Sequence, residues 1–187
     1  DEDEISCITQ ACHLSTQAHN HVMQIAKQHP TEMALEGQFF QFICQNQCRD
    51  LAYPSIVASG MNACTLHYTD SHRAIEKNDL VLIDAGAQYK QYAADITRTF
   101  PINGEFSLNQ QAIYEAVLDT QKQIIQSLRP GVIWDDVQHQ AVRHICQHLI
   151  DLKVIETTIE QAVNEKSYLP FFPHRIGHTM GLDVHDI

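Results

Sequence analysis

The sequence predicts a domain of the α/β (or α+β) class, in which pairs of helices are followed by β structure. Three observations support this class: helical periodicity in four long segments, two strand-like apolar runs near the middle, and a helix–proline–helix pattern that occurs twice. Pro30 and Pro130 each separate two predicted helices, and an acidic residue follows each proline by the same interval (Glu36 and Asp136). The pattern indicates two similar halves, the second with little β structure before Ile187.

Composition limits the classes of function. The chain has 187 residues, of which 44% are hydrophobic, so it can bury the core of one domain. Its net charge of −11 argues against nucleic acid or an anionic membrane as a partner. It has neither an apolar run long enough to span a membrane nor a signal peptide. Six cysteines without CxxC spacing are predicted to be buried, reduced thiols, and we expect a cytoplasmic protein.

The elements are predicted from periodicity and from helix-start and helix-stop residues. Thr31 is a suitable N-cap for the second helix and Ser107 for the third. The predicted helices are Ile5–Gln28, Thr31 to about Arg49, Leu108–Leu128 and Trp134 to about Leu152, with one further short helix within residues 153–167. Ser55–Gly60 is predicted as a strand, and the Pro- and Gly-rich Tyr168–Ile187 as turns and short strands.

Leu80–Phe100 carries the first candidate site. Its two apolar runs flank a polar centre at Tyr89–Lys90 and predict a hairpin, with one aspartate in each arm, Asp84 and Asp95. A fold about this centre places the two aspartates opposite each other, roughly 5 Å apart. Two carboxylates at that distance repel, so they share either a proton or a cation. A shared cation requires further ligands elsewhere in the chain.

A histidine cluster near the end of the sequence supplies candidates. His174, His178 and His185 follow one another at spacings of four and seven, among prolines and glycines that argue against a helix. A histidine-rich loop with no site is the alternative explanation of this segment alone. Taken with Asp84 and Asp95, the imidazoles suit Mn²⁺, Co²⁺, Zn²⁺ or Fe²⁺, and two aspartates on one hairpin suit a two-metal site for hydrolysis.

Four motifs carry a resemblance to a known family: Leu66–Thr69 (LHYT), Leu80–Gly86 (LVLIDAG), Tyr92–Pro101 (YAADITRTFP) and His174–Asp186. Through them the chain resembles the catalytic domain of aminopeptidase P and prolidase, which are "pita-bread" metallopeptidases, and bacterial aminopeptidase P most of all. The resemblance implies the pita-bread (creatinase/aminopeptidase) fold, with two pseudo-symmetric helix–helix–sheet halves. Residues 1–187 would form part of this catalytic domain, with the second half incomplete and the family's N-terminal domain and C-terminal strands absent.

The resemblance also implies roles for six residues. Asp84, Asp95 and His178 would bind two divalent metal ions, with Mn²⁺ as the first choice and Co²⁺, Zn²⁺ or Fe²⁺ as alternatives. His67, His174 and His185 would be catalytic: His185 would stabilise or protonate the tetrahedral intermediate, and the other two would line the substrate site. The alternative for these three histidines is that they only orient the metal ligands.

The implied function is that of an exopeptidase that hydrolyses the Xaa-Pro bond at the N-terminus of peptides, through a water bridging two divalent metals. Its partners would be peptides with proline at position two, and the full-length protein would be a homo-oligomer. Prolidase activity on Xaa-Pro dipeptides is the first alternative, and a metal-free module that binds peptides or proteins is the second.

Departures from the family pattern, and one absence, bear on activity. Position 175 is arginine where glycine is more familiar, which would place a cation beside the pocket. The family's two glutamate ligands, one of them also its general base, are expected on strands after Ile187. With three of five ligands, we expect the chain alone to bind metal weakly or not at all and to be inactive.

Overall fold

A computed structural model describes residues 1–186 and divides them into two compact units. The first unit contains residues 1–105 and the chain from His178 onward, and the second contains residues 106–177. The helices are α1 (Glu2–Ile25), α2 (Glu32–Gln45), α3 (Leu108–Ser127), α4 (Trp134–Asp151) and α5 (Ile159–Asn164), with 3₁₀ turns at Ala26–Gln28 and Gly60–Cys64. The strands are β1 (Asp50–Leu51), β2 (Ile56–Ser59), β3 (Leu80–Asp84), β4 (Ala87–Tyr89), β5 (Tyr92–Ala93) and β6 (Thr97–Pro101).

The helix boundaries follow the caps in the sequence. The hydroxyl of Thr31 accepts a hydrogen bond from the Ala34 N–H at the start of α2, and Ser107 forms a capping box with Gln110 at the start of α3. The helices predicted from periodicity are therefore all present, with ends that agree within a few residues. Within the described residues, no helix is long and apolar enough to cross a membrane.

The core of the first unit lies between α1, α2 and one face of a three-stranded antiparallel sheet, ordered β2-β3-β6. Residues alternate between the faces of β3, so Val81 and Ile83 are fully buried in this core while Leu80, Leu82 and Asp84 lie on the opposite face. A second small sheet, ordered β1-β4-β5, continues the same hairpin. The hairpin thus crosses two sheets and places Asp84 at the end of the first ladder.

The register of this hairpin differs from the prediction. Tyr89 pairs with Tyr92, so the turn consists of Lys90 and Gln91, both with positive φ (49° and 73°). Asp84 therefore faces Thr97 in the ladder, and Asp95 lies two residues away from the position predicted for it. A shift of two residues keeps a side chain on the same face of a sheet, so the predicted proximity of the two aspartates survives the error.

The second unit, residues 106–177, consists of α3, α4 and α5 with the turns that connect and follow them. The antiparallel pair α3 and α4 buries Ile124, Val137 and Ala141, and α5 packs on α4 around Cys146 and Ala162. The short strands predicted after Tyr168 are wrong, because residues 168–186 form turns and bends. Their backbone has only isolated hydrogen bonds to other segments, such as Ala93 N–H to Gly181 O (2.8 Å), and no strand partner.

The prediction for the cysteines is correct only in part. All six are free thiols, but only Cys48 and Cys146 are buried, while Cys44 and Cys64 are exposed. Cys44 lies on the outward face of α2, because the buried stripe of that helix is formed by Leu35, Phe39 and Ile43 instead.

Candidate metal centre

A tyrosine joins the two predicted aspartate ligands. The Tyr53 hydroxyl lies 2.6 Å from Asp84 Oδ1 and 3.0 Å from Asp95 Oδ1, at the end of the β3–β6 ladder. A phenol has one proton, so Tyr53 can donate to only one carboxylate at a time. The two carboxylates therefore lie close to a charge of the same sign and share this single phenolic donor. This is an arrangement that a cation would stabilise.

The electrostatics of the pair agree with this geometry. Burial raises the pKa of Asp84, and the neighbouring Asp95 raises it further, against hydrogen bonds from Tyr53 and Thr97 that lower it. Burial and the two carboxylates also raise the pKa of Tyr53 far above its usual value, so the phenol remains a proton donor at any physiological pH. The site thus disfavours two carboxylate charges in the absence of a positive charge.

His178 is directed at the same pair. Its Nε2 lies 3.0 Å from Asp95 Oδ2, and its Nδ1 lies 2.9 Å from the carbonyl oxygen of Thr179. A metal-binding histidine usually donates one ring N–H to a carbonyl or carboxylate and presents the other nitrogen to the metal. The Thr179 carbonyl fixes His178 in this orientation, with Nε2 available at the Asp95 carboxylate.

His185 packs against His178, with ring centroids 4.2 Å apart in an edge-to-face arrangement. Two hydrogen bonds close the segment 179–186: the Thr179 hydroxyl donates to the Asp186 carbonyl (2.5 Å), and the Leu182 N–H donates to Asp186 Oδ2 (3.0 Å). The structure therefore brings His178, His185, Asp84 and Asp95 together within the first unit.

Two polar residues of α1 that were not predicted from the sequence support this site. The buried Ser15 accepts a hydrogen bond from the Ala87 N–H (2.9 Å), and Nε2 of the buried His19 lies 3.0 Å from the carbonyl oxygen of Ala85. Burial lowers the pKa of His19 and so favours its neutral form, although hydrogen bonds to nearby carbonyls act in the opposite direction. Their spacing of four on a helix that starts at a capping box was the available signal.

Near these contacts, the backbones of the two hairpin arms approach each other closely at Gly86 and Ala94. A Cβ added to Gly86 would lie 1.7 Å from the Ala94 carbonyl oxygen, so only glycine fits there. The arms continue on either side through hydrogen bonds from Ala85 N–H to Ile96 O (3.2 Å) and from Ala94 N–H to Ala87 O (3.0 Å). Asp84 and Asp95 lie on either side of this close approach.

His67 and His174 lie on other segments of the chain. His67 is exposed on the loop after β2 and has a positive φ of 54°. His174 belongs to the second unit, where its ring packs against Phe172 and its Nδ1 lies 2.8 Å from the Arg175 carbonyl oxygen. Arg175 is paired with Asp135 (2.6 Å), and both of these side chains are exposed, so part of its predicted charge is neutralised locally.

The donor atoms at Asp84, Asp95 and His178 fit a hard divalent cation, because they are carboxylate oxygens and an imidazole nitrogen. Asp84 lies close to Asp95, and Asp95 lies close to His178, but the three side chains do not form one cluster. Within residues 1–186, no three or more His, Cys, Asp or Glu side chains are grouped tightly enough to hold a metal ion. The assignment of these three ligands, and of His67, His174 and His185 as catalytic, remains a prediction.

Comparison with known proteins identifies the family of this chain. The model of metallopeptidase family M24 matches residues 6–187. The chain belongs to this family. The Xaa-Pro aminopeptidase of Haemophilus influenzae is 40% identical over 185 residues, covering 99% of the chain and 43% of that protein. A probable Xaa-Pro aminopeptidase of Phaeosphaeria nodorum is 41% identical over 183 residues, covering 98% of the chain and 40% of that protein.

Solved structures agree on the fold of this M24 chain. Zinc-substituted aminopeptidase P of Escherichia coli in complex with product matches all of the chain with a TM-score of 0.97 and 36% identity. Proline aminopeptidase P II of Yersinia pestis matches it with a TM-score of 0.96 and 38% identity. The predicted α/β pita-bread class is thereby confirmed. The chain spans 42% and 43% of these two proteins, about two fifths of their length.

Proposed function

We propose that this chain is part of a metal-dependent exopeptidase that removes the first residue from peptides with proline in second position. The observation that carries the proposal is the carboxylate pair Asp84–Asp95, joined by Tyr53 and approached by His178, in an M24 chain. The names of the relatives, Xaa-Pro aminopeptidases, support the choice of substrate.

Two divalent metal ions complete this proposal, with Mn²⁺ as the first choice and Co²⁺, Zn²⁺ or Fe²⁺ as alternatives. Asp84, Asp95 and His178 would hold them, and they would activate water and polarise the scissile carbonyl. The Tyr53 hydroxyl would keep the two carboxylates in place, and the Thr179 carbonyl would keep the His178 ring in the binding orientation. His185, in contact with His178, is suited to hydrogen-bond the oxygen of the reacting carbonyl.

An Xaa-Pro bond differs chemically from other peptide bonds. The nitrogen of proline carries no N–H, so a peptidase that recognises a backbone donor at that position cannot use it. A site that instead activates the carbonyl through bound cations and imidazoles does not need this donor. We further propose that the protein acts in the cytoplasm, on peptides, as a homo-oligomer when full length.

The test is hydrolysis by the complete gene product loaded with Mn²⁺, with an Xaa-Pro-Yaa tripeptide and an Xaa-Pro dipeptide compared. Rapid release of Xaa from the tripeptide supports an aminopeptidase, and activity confined to the dipeptide supports prolidase. Asp95→Asn should lower kcat by at least about 10³-fold, because it removes a ligand charge. Asp50→Asn, the same change at an exposed position in β1, should leave activity intact.

Peptide binding without hydrolysis of either substrate would instead support a metal-free module. The same outcome with metal bound would exclude the proposed chemistry. Elemental analysis of the purified protein after dialysis separates these two results.

A further inference from the structure

Glu32, the first residue of α2, is a buried carboxylate outside the candidate metal centre. It is 0% exposed, whereas glutamate is almost never fully buried in proteins unless it is paired. A buried carboxylate is tolerated only when hydrogen bonds replace its lost hydration. The positions of its hydrogen-bond donors therefore indicate what it does.

The donors come from both ends and the interior of one loop. Oε1 accepts from the Ser59 N–H (2.7 Å), the Ser59 hydroxyl (2.8 Å) and the Asn62 amide (3.1 Å). Oε2 accepts from the Tyr68 hydroxyl (2.9 Å) and the Arg73 N–H (3.1 Å). In return, the backbone N–H of Glu32 donates to the Arg73 carbonyl (3.1 Å).

These bonds close the segment Gly60–His72, which we call the His67 loop. Ser59 ends β2 immediately before the loop and Arg73 follows immediately after it, so one carboxylate ties the two ends together. The Arg73 guanidinium reinforces this closure by donating to the Ser59 hydroxyl (2.7 Å) and by pairing with Asp79. Inside the loop, the Asn62 amide also donates to the Tyr68 hydroxyl (2.9 Å). Asn62 and Tyr68 are therefore bonded to each other as well as to the Glu32 carboxylate.

His67 lies within this closed loop, one residue before Tyr68. Its backbone lies in the left-handed region (φ 54°), which non-glycine residues adopt at a cost and keep only where the surroundings enforce it. The side chain is exposed, and the nearest constraint along the chain is the next residue, Tyr68, through its bond to Glu32.

We propose that Glu32 is a positioning residue that anchors the His67 loop and, through Tyr68, fixes the backbone that presents His67 to the peptide substrate. The proposal rests on the proposed function for the role of His67. A carboxylate that served only the stability of the fold would not affect hydrolysis through His67 in particular.

Hydrogen exchange tests the anchor directly on the chain. In Glu32→Gln, one carboxylate oxygen is replaced by an amide that cannot accept, so amides of residues 60–72 should exchange at least about 10-fold faster. Tyr68→Phe removes a single donor from a half-exposed side chain and should give a smaller increase in the same segment. Glu36→Gln, the same change one turn further along α2, is the control and should match the wild type. Unchanged exchange in Glu32→Gln would overturn the proposal.

A double-mutant cycle in the complete gene product tests the consequence. If Glu32 acts through His67, Glu32→Gln should lower kcat/KM by about 10-fold in the wild type but by less than about 2-fold in a His67→Ala background. Equal losses in both backgrounds would indicate a merely structural carboxylate and would overturn the proposal. If the wild type hydrolyses no Xaa-Pro peptide, the proposed function fails, while the exchange measurement still decides the anchoring.

Discussion

The role of Tyr53 follows from one atom, its hydroxyl oxygen. Its hydroxyl is within hydrogen-bonding distance of both Asp84 and Asp95 but has one proton to donate. This role could not be predicted from the sequence, because nothing local in a Tyr-Pro step indicates a contact thirty or forty residues away. Long-range contacts of this kind require the fold to be known.

Replacing Tyr53 with phenylalanine should therefore destabilise the chain. The change removes the donor between the two carboxylates, so we expect the free energy of unfolding at pH 7 to fall by about 1–2 kcal/mol. Urea unfolding of the metal-free chain measures this value. Tyr89→Phe, in the β4 arm of the same hairpin, should change it by less than about 0.5 kcal/mol. Equal stability of the Tyr53 variant and the wild type would contradict the structural role given to its hydroxyl.

The charge of Glu32 gives a prediction for pH. Burial raises the pKa of Glu32, but hydrogen bonds from Ser59, Tyr68 and Arg73 outweigh burial, so its pKa lies below the ordinary value of 4.5. A lowered acid pKa stabilises the folded state above the unfolded pKa, and this stabilisation is lost as the pH falls through the folded pKa. The ionisable side chains around it include Tyr68 and Arg73, and Arg73 pairs in turn with Asp79 and Glu76.

Wild type and Glu32→Gln should therefore differ most in stability near neutral pH. We expect a difference of about 2 kcal/mol at pH 6–7 that shrinks progressively below pH 4.5, because the protonated wild type loses the same charge-assisted bonds. The measurement is the urea midpoint at a series of pH values. A difference that stayed constant down to pH 3 would show that the carboxylate charge contributes nothing.

At the scale of elements, the helices were predicted well and the hairpin register was not. Caps such as Thr31 and Ser107 are local signals, and periodicity over fourteen to twenty-four residues averages out errors. A hairpin register depends on which two residues form the turn. Lys90 and Gln91 adopt positive φ without glycine, asparagine or aspartate to indicate it, so the sequence offered no reason to place the turn there.

Gly86 is a position in the hairpin with no room for a side chain. Gly86→Ala would place a Cβ 1.7 Å from the Ala94 carbonyl oxygen and force the hairpin arms apart, so we expect a loss of at least about 3 kcal/mol. Gly37→Ala is the matched control, because nothing lies within 4 Å of its added Cβ and its helix should gain up to about 1 kcal/mol. Thermal unfolding of the two variants should shift in opposite directions. A Gly86 variant as stable as the wild type would show that the arms can separate freely.

For the whole molecule, the family and the fold class could be predicted from sequence because the motifs around Asp84, Asp95 and His178 are specific together. The completeness of the metal centre could not be predicted from the residues alone. Ligands assemble only when separate segments converge, and in residues 1–186 the three candidates meet in pairs. The chain also spans only about two fifths of its relatives.

Metal binding should accordingly depend on the length of protein studied. We expect the complete gene product to retain two Mn²⁺ per chain after dialysis, and the 187-residue chain to retain less than one. Chelation by EDTA should abolish hydrolysis by the complete product, and Mn²⁺ should restore it. Elemental analysis and activity assays make these measurements, with Asp95→Asn as the control. Tight binding of two metals by the 187-residue chain would refute the expectation.

The two-residue turn at Lys90–Gln91 also constrains how this protein can vary over evolution. Side chains alternate along the short arm between the turn and Asp95, so one residue inserted there would move the carboxylate to the other face of the sheet unless a bulge absorbed it. Two inserted residues would return it to the original face. We therefore expect the protein to tolerate two inserted residues in this arm better than one. One inserted residue would turn Asp95 away from Asp84, whereas two would keep both carboxylates on the same face of the sheet.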